Sequence, residues 1–206
     1  MKTTTYTDRD EWLAARKGKI TGSRLADIIV KKAGGSRKIG FYELIAERIS
    51  TDPEGLAFQE TPMERGTRLE PEAMARFVEV TGKKVDTSLV IWARDDNESI
   101  AISPDGFIGK LEAVETKCLS SAKHIKAYLT QQVPEDYEEQ VTQYFIVNDQ
   151  LRTLWLAFYD PRIPLKDFFF LEIKREDVED DVEDYLEQQR EVIAAVDKVV
   201  NELTFF

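Results

Sequence analysis

The sequence predicts an α/β fold in which a run of helices precedes a small central β-sheet, with further helices interspersed. Three observations predict it. Apolar residues recur at helical spacing through the N-terminal part as far as Val78; short runs rich in β-branched and aromatic residues begin only after Gly82; and those runs then alternate with helical patterns. With 206 residues the chain is long enough to bury one substantial core, and it contains no internal repeat or low-complexity linker, so one domain over 1–206 is expected.

The elements follow in order. Asp8 or Asp10 caps a first helix carrying Trp12, Leu13 and Arg16, which Gly18 ends. The turn Ile20-Thr21-Gly22-Ser23 starts a second, with Leu25, Ala26, Ile28 and Ile29 as its apolar face. Lys31 to Lys38, with Gly34-Gly35, reads as a mobile basic loop, and Phe41 to Ile49 as a third helix. Met63, Leu69, Met74, Phe77 and Val78 define the inward stripe of a longer helix from Pro62 to Thr81, stopped by Gly82. Strands are expected over Lys84 to Ala93, Ile100 to Ile102 and Leu111 to Lys117, with Gly106 and Gly109 in the turns. Helices over Ser120 to Leu129 and Pro134 to Val147 alternate with strands Leu151 to Tyr159 and Phe168 to Ile173. A long terminal helix, Asp177 to Leu203, turns Val178, Val182, Tyr185, Val192, Ile193, Val196 and Val199 inward behind an acidic outer face.

Charge and composition exclude several classes. No run approaches the roughly 18 to 20 apolar residues of a membrane span, and Met1 to Asp10 has no apolar signal core, so a soluble, unprocessed cytoplasmic protein is expected. Cys118 is the single cysteine, which excludes an internal disulfide and a multi-cysteine zinc or iron–sulfur cage. His124 is the single histidine, which leaves no basis for a histidine-rich metal site or a Ser-His-Asp triad. The formal charge of -11 speaks against a polyanionic partner, yet residues 1–50 carry 11 basic and 6 acidic side chains while residues 171–206 carry 4 and 12. A carboxylate metal site is itself acidic before its cation arrives, so net charge does not decide the partner.

Chemistry concentrates in Ser103-Pro104-Asp105-Gly106 and, after the nine residues that follow Asp105, Glu115-Thr116-Lys117. Two carboxylates delivered from neighbouring strands suit one or two hard divalent cations whose shell substrate phosphates complete. Strand alternation puts residues 115 and 117 on one face, so the lysine ammonium sits beside the carboxylates. The set suits phosphodiester hydrolysis. The alternative is structural: Asp105-Gly106 as a turn, and Glu115 with Lys117 as an exposed strand pair.

The surroundings resemble a family. Trp12 to Ser23, Gly66-Thr67-Arg68-Leu69-Glu70-Pro71, Ser103 to Cys118, and Tyr137-Glu138-Glu139-Gln140 through Tyr144 followed by Tyr159-Asp160-Pro161-Arg162 together resemble the PD-(D/E)xK nucleases, and within them the phage lambda exonuclease or YqaJ viral recombinase group. The resemblance implies a restriction-endonuclease-like fold: a central mixed sheet flanked by helices, with an N-terminal helical portion. It implies a Mg2+-dependent (or Mn2+-dependent) 5′-to-3′ exonuclease that degrades one strand of linear duplex DNA and leaves a 3′ overhang. A ring-shaped homotrimer at DNA ends, a phage single-strand annealing protein as partner, and a phage or prophage origin in a bacterial host are implied too. An endonuclease of the same fold and a non-catalytic recombination scaffold are the competing readings.

Carried over by residue, the resemblance implies that Asp105 and Glu115 hold metal, that Lys117 is the catalytic lysine, and that Glu70 is a further catalytic carboxylate. Gln140 and Tyr144 match a Gln-x-x-x-Tyr pattern and share one helical face, directed toward DNA or the active centre; a packing tyrosine is the plainer reading of Tyr144. The commoner pattern has a second glutamine where Thr142 stands here. Arg16 and Ser23 match positions that hold the terminal 5′-phosphate, against the plainer reading of a surface arginine and an ordinary helix cap, and Ser103, just before the Pro-Asp step, is expected to contribute to the same pocket. Met63 matches an apolar wedge at the terminal base pair, with core packing as its alternative. Lys31, Lys32, Arg37 and Lys38 are expected to touch the duplex backbone, with a solvated loop as the alternative.

Overall fold

The computed structural model describes residues 11, 38–49, 51 and 61–204. The helices expected before residue 30, and with them Arg16, Ser23, Lys31, Lys32 and Arg37, lie outside the described residues. The fold is α/β, with a central mixed sheet flanked by helices. Its chain divides into two compact units of interleaved segments: Met1–Pro71, Cys118–Gln132 and Phe158–Phe169 form one, and Glu72–Lys117, Val133–Ala157 and Phe170–Phe206 the other.

In order, the described elements are α1 (Ile39–Ile49), α2 (Pro62–Thr81), β1 (Trp92–Ala93), β2 (Ala101–Ile102), β3 (Gly106–Ile108), β4 (Glu112–Lys117), α3 (Ser121–Thr130), a 3-10 turn (Glu135–Tyr137), α4 (Glu138–Val147), β5 (Thr153–Tyr159), β6 (Phe168–Lys174), a second 3-10 turn (Arg175–Asp177) and α5 (Glu179–Thr204). Strands β1 and β2 form a two-stranded ribbon, and the four-stranded sheet runs β3-β4-β5-β6. Central strand β5 is apolar on both faces, with Leu154, Leu156 and Ala157 fully buried, as a strand covered on both sides requires.

The first unit is centred on helix pairing. Tyr42 and Ala46, one turn apart on α1, are buried with Ile125 of α3 and Ile163. Helix α3 starts where Ser120 accepts a hydrogen bond from Lys123 N (3.4 Å) and ends on Gln131 in the left-handed region, φ 54°. Beneath it Phe169 stacks on Phe158 with ring centroids 4.6 Å apart and meets the edge of buried His124 at 5.0 Å. Asp160 is buried within a polar network: it accepts from Ser121 Oγ (2.6 Å), Arg162 Nε (2.7 Å) and Arg162 N (3.1 Å). Arg162 Nη2 also reaches the Leu119 carbonyl at 3.2 Å, so this unit's only fully buried carboxylate among the described residues is held on several sides.

In the second unit Met74 and Phe77 of α2 are buried, and Phe77, Trp155 and Phe170 form an aromatic trio with centroids 5.3 to 6.1 Å apart. Ile100, Ile146 and Val147 form a second cluster against which Val182, Tyr185, Leu186 and Ile193 of α5 pack. The first turn of α5 carries Glu179, Asp180 and Asp181, which favour its N-terminal dipole end, so part of the acidic tail stabilises the helix itself. Arg94 joins the ribbon to the end of α4, donating to the Ile146 carbonyl, to Asp149 (2.9 Å) and to Asp96 (2.7 Å), and Arg190 of α5 meets the same Asp96 at 2.7 Å.

Several expectations need correction. The strand expected over Lys84 to Ala93 shrinks to Trp92–Ala93 and an isolated Asp86–Phe107 bridge. Asp86 Oδ1 accepts from Ser88 N at 2.9 Å, an Asx turn that diverts the backbone from a ladder, and Leu89 and Ile91 are left exposed. Gly106 is not in a turn but opens β3, where a Cβ would come within 2.5 Å of Val85 Cγ1 and 3.0 Å of Met74 Cε; Gly109, φ +61°, makes the turn. The helix expected from Pro134 begins as a 3-10 turn and becomes α-helical only at Glu138. Val192 is 62 % exposed and Val78 38 %, so both sit at the rim of their helices' inward stripes.

Candidate active site

Strands β3 and β4 pair antiparallel with Gly106 opposite Val114 and Phe107 opposite Ala113. One further step of this register sets Asp105 opposite Glu115, the cross-strand relation in which two side chains are nearest neighbours. The nine-residue interval between them is therefore a hairpin with its turn at Gly109, and it brings two carboxylates to the end of the ladder. Asp105 is fixed there by Thr116, whose backbone N–H and hydroxyl both donate to Oδ2 at 2.7 Å.

Glu115 is more enclosed, with 7 % of its side chain exposed, and Lys117 follows on the same face at 13 %. Lys117 Nζ donates to Glu115 Oε1 (2.6 Å) and to Gln140 Oε1 (2.8 Å), while Gln140 Nε2 donates to the same Glu115 oxygen at 2.8 Å. The second oxygen of Glu115 accepts from the Tyr144 hydroxyl. Gln140 and Tyr144 lie one turn apart on α4, so a single helix face supplies both neutral donors to one carboxylate. Burial and the Asp105 charge push the Glu115 carboxyl above the usual glutamate range, against Lys117 and Tyr144, which pull it down. The Tyr144 phenol is pushed up by burial and by the Glu115 charge, so it stays protonated and is a permanent donor.

The residues present fit a small hard cation. Burial and the neighbouring Asp105 make a negative charge on Glu115 costly, a penalty that a divalent ion held by the two carboxylates would relieve. Among the described residues no cluster of three or more histidine, cysteine, aspartate or glutamate side chains surrounds a common point. Two carboxylates make a poor zinc cage, but suit an ion that keeps water and substrate phosphate in the rest of its shell.

The other expected residues are distributed as follows. Tyr144 is fully buried and its hydroxyl meets Glu115, so of the two expected directions it takes the inward one, toward the carboxylates, and not the one toward DNA. Ser103 is exposed, and its hydroxyl donates to the Val90 carbonyl at 2.5 Å, so binding a phosphate would require that proton to be redirected. Glu70 is exposed on α2, in the first unit. Met63, in the first turn of α2, is 80 % exposed and is not part of a core among the described residues. Lys38 is exposed just ahead of α1. Residue-by-residue reading missed Thr116: it stands between the two expected residues, and its role appears only once the hairpin sets it against Asp105.

A model of the YqaJ-like viral recombinase domain matches residues 11–150. The chain belongs to that family. Its fold is similar to that of an alkaline exonuclease from Laribacter hongkongensis, at 28 % identity and a TM-score of 0.55, with 95 % of this chain and 100 % of that one covered. The same enzyme in complex with dAMP gives 29 % identity and a TM-score of 0.54 over the same shares. No curated protein matches. Were Glu115 to hold Mg2+, Tyr144→Phe, which removes the donor on Glu115 Oε2, would be expected to weaken that affinity roughly tenfold, as loss of a partner to a metal-holding carboxylate generally does. Calorimetric titration with Mg2+ checks this, and unchanged affinity would detach Tyr144 from the site.

Proposed function

We propose that the chain is a Mg2+-dependent 5′-to-3′ exonuclease that degrades one strand of linear duplex DNA and leaves a 3′ overhang for single-strand annealing. The observation that carries this reading is the closed hydrogen-bond triangle of Glu115, Lys117 and Gln140 with Asp105 opposite Glu115 across the hairpin: two cation-suited carboxylates, one of them bonded to an ammonium. Family membership and the likeness to an alkaline exonuclease supply the substrate class.

Asp105 and Glu115 would hold the ion, which when bound supplies Lewis acidity toward the scissile phosphate and the attacking water. Thr116 keeps the Asp105 carboxylate turned to the site, and Tyr144 and Gln140 do the same for Glu115. Lys117 donates to a non-bridging phosphate oxygen and stabilises the charge that accumulates as the water oxygen bonds phosphorus and the bond to the 3′-oxygen breaks. The 3′-oxygen leaves with a proton, and the released nucleotide keeps its 5′-phosphate. Glu70 serves as a further carboxylate toward water or metal, and Met63, exposed as a wedge must be, meets the terminal base pair.

Polarity is assigned to Arg16, Ser23 and Ser103 as the pocket for the terminal 5′-phosphate, with Lys31, Lys32, Arg37 and Lys38 on the duplex backbone. A ring-shaped homotrimer, an annealing partner and a cytoplasmic location in a phage-bearing host complete the proposal. No helix among the described residues is long and apolar enough to cross a membrane. The test is digestion of linear duplexes with 5′-phosphate or 5′-hydroxyl ends beside covalently closed circles. Linear DNA should be degraded, phosphorylated ends fastest, and circles should survive; Arg16→Ala should erase the preference for phosphate. Cut circles would replace the exonuclease with an endonuclease of the same fold.

A further inference from the structure

We infer that Tyr137 is a positioning residue for Lys117, acting through the face of its ring; this rests on the nuclease reading above. The Lys117 ammonium lies 4.5 Å from the centroid of the Tyr137 ring, well inside the range of a cation–π contact. Its other neighbours are Glu115 Oε1 at 2.6 Å and Gln140 Oε1 at 2.8 Å, and Gln140 and Glu115 are bonded to each other at 2.8 Å. Glu115 Oε1 therefore accepts from two donors, and an incoming phosphate would compete with it and with Gln140 Oε1 for the ammonium N–H groups. The ring face competes for none of those bonds. It holds the ammonium while its hydrogen bonds are exchanged for substrate, limiting the freedom of a four-carbon stem.

The local chain explains how the ring gets there. Pro134 precedes the 3-10 turn, Tyr137 N donates to the Pro134 carbonyl at 2.8 Å, and Tyr137 itself, φ -127° and ψ 0°, stands at the junction with α4. It lies three residues ahead of Gln140, so the two side chains share one end of the helix. Around it Glu135, Asp136, Glu138 and Glu139 are exposed and Tyr137 is half-buried. The Glu-Asp-Tyr-Glu-Glu string thus turns its one uncharged side chain toward the catalytic lysine.

The test separates face, hydroxyl and fold. In proton NMR spectra assigned with Lys117→Arg, the ε-methylene protons of Lys117 should be shifted upfield by the ring in wild type and in Tyr137→Phe, and should return to ordinary lysine positions in Tyr137→Leu. On linear duplex, Tyr137→Phe should keep kcat within about twofold, whereas Tyr137→Leu, apolar and similar in bulk, should lose about tenfold. Melting temperature and DNA affinity in EDTA should match wild type in both, and Tyr137→Met serves if the leucine variant folds poorly. An unshifted Lys117 in wild type, leucine-variant turnover within twofold of wild type, or a phenylalanine variant as slow as the leucine one would overturn the inference. A wild-type protein that leaves DNA intact while showing the Lys117 shift would instead remove the nuclease reading and keep the contact.

Discussion

Lys117→Ala should lower turnover of linear duplex DNA by about a hundred- to a thousandfold while the protein still binds DNA. That is the usual cost of removing one preorganised donor from the place where charge develops on the reacting group. Two effects act together. The phosphate loses the ammonium, and Glu115 Oε1 keeps only the Gln140 amide as a donor, so a carboxyl already pushed up by burial and by Asp105 holds its proton still more firmly. Because a protonated carboxyl is a poor ligand, the variant should also need more Mg2+. Single-turnover digestion over a Mg2+ series, with filter binding of the same duplex in Ca2+, separates the two. Full activity in the variant would remove this mechanism.

Arg162→Ala is the change expected to hurt stability most. It leaves Asp160, 1 % exposed, as a buried carboxylate with Ser121 and a backbone N–H but without its cation. Breaking a buried pair on one side typically costs about 3 kcal/mol or more, a large share of a domain's roughly 5 to 15 kcal/mol. With a urea slope of about 2 kcal/mol per molar, the unfolding midpoint should fall by about 1.5 M. Arg162→Lys should recover only part of this, since an ammonium cannot reach both Asp160 oxygens and the Leu119 carbonyl. A shift below about 0.3 M in the alanine variant would show that the remaining donors suffice.

The sequence carried much of this structure because the decisive signals were short-range. Asp105 and Glu115 are separated by nine residues, Gly109 among them, a hairpin interval, and the Glu115-Thr116-Lys117 alternation already put the carboxylate and ammonium on one face. Long helices with clean stripes, such as α2 and α5, were legible for the same reason. What the sequence hid depended on tertiary neighbours. Val85 to Ile91 has strand composition, but Asp86 closes a turn on Ser88 and the stretch joins β3 only through the single Asp86–Phe107 bridge. Tyr144 at one turn from Gln140 could equally have faced outward, and only the packing of α4 sends its hydroxyl to Glu115. Met63 belongs to an apolar stripe by spacing, yet that stripe overruns the buried part of α2.

The most direct measurement of the central claim uses a linear duplex labelled at one 5′-end, incubated with the protein in Mg2+ or in EDTA. Site geometry built on Asp105, Glu115 and Lys117 predicts label released as mononucleotide in Mg2+ and none in EDTA. Equal release in EDTA, or label that remains in long fragments while the duplex is cut, would contradict it.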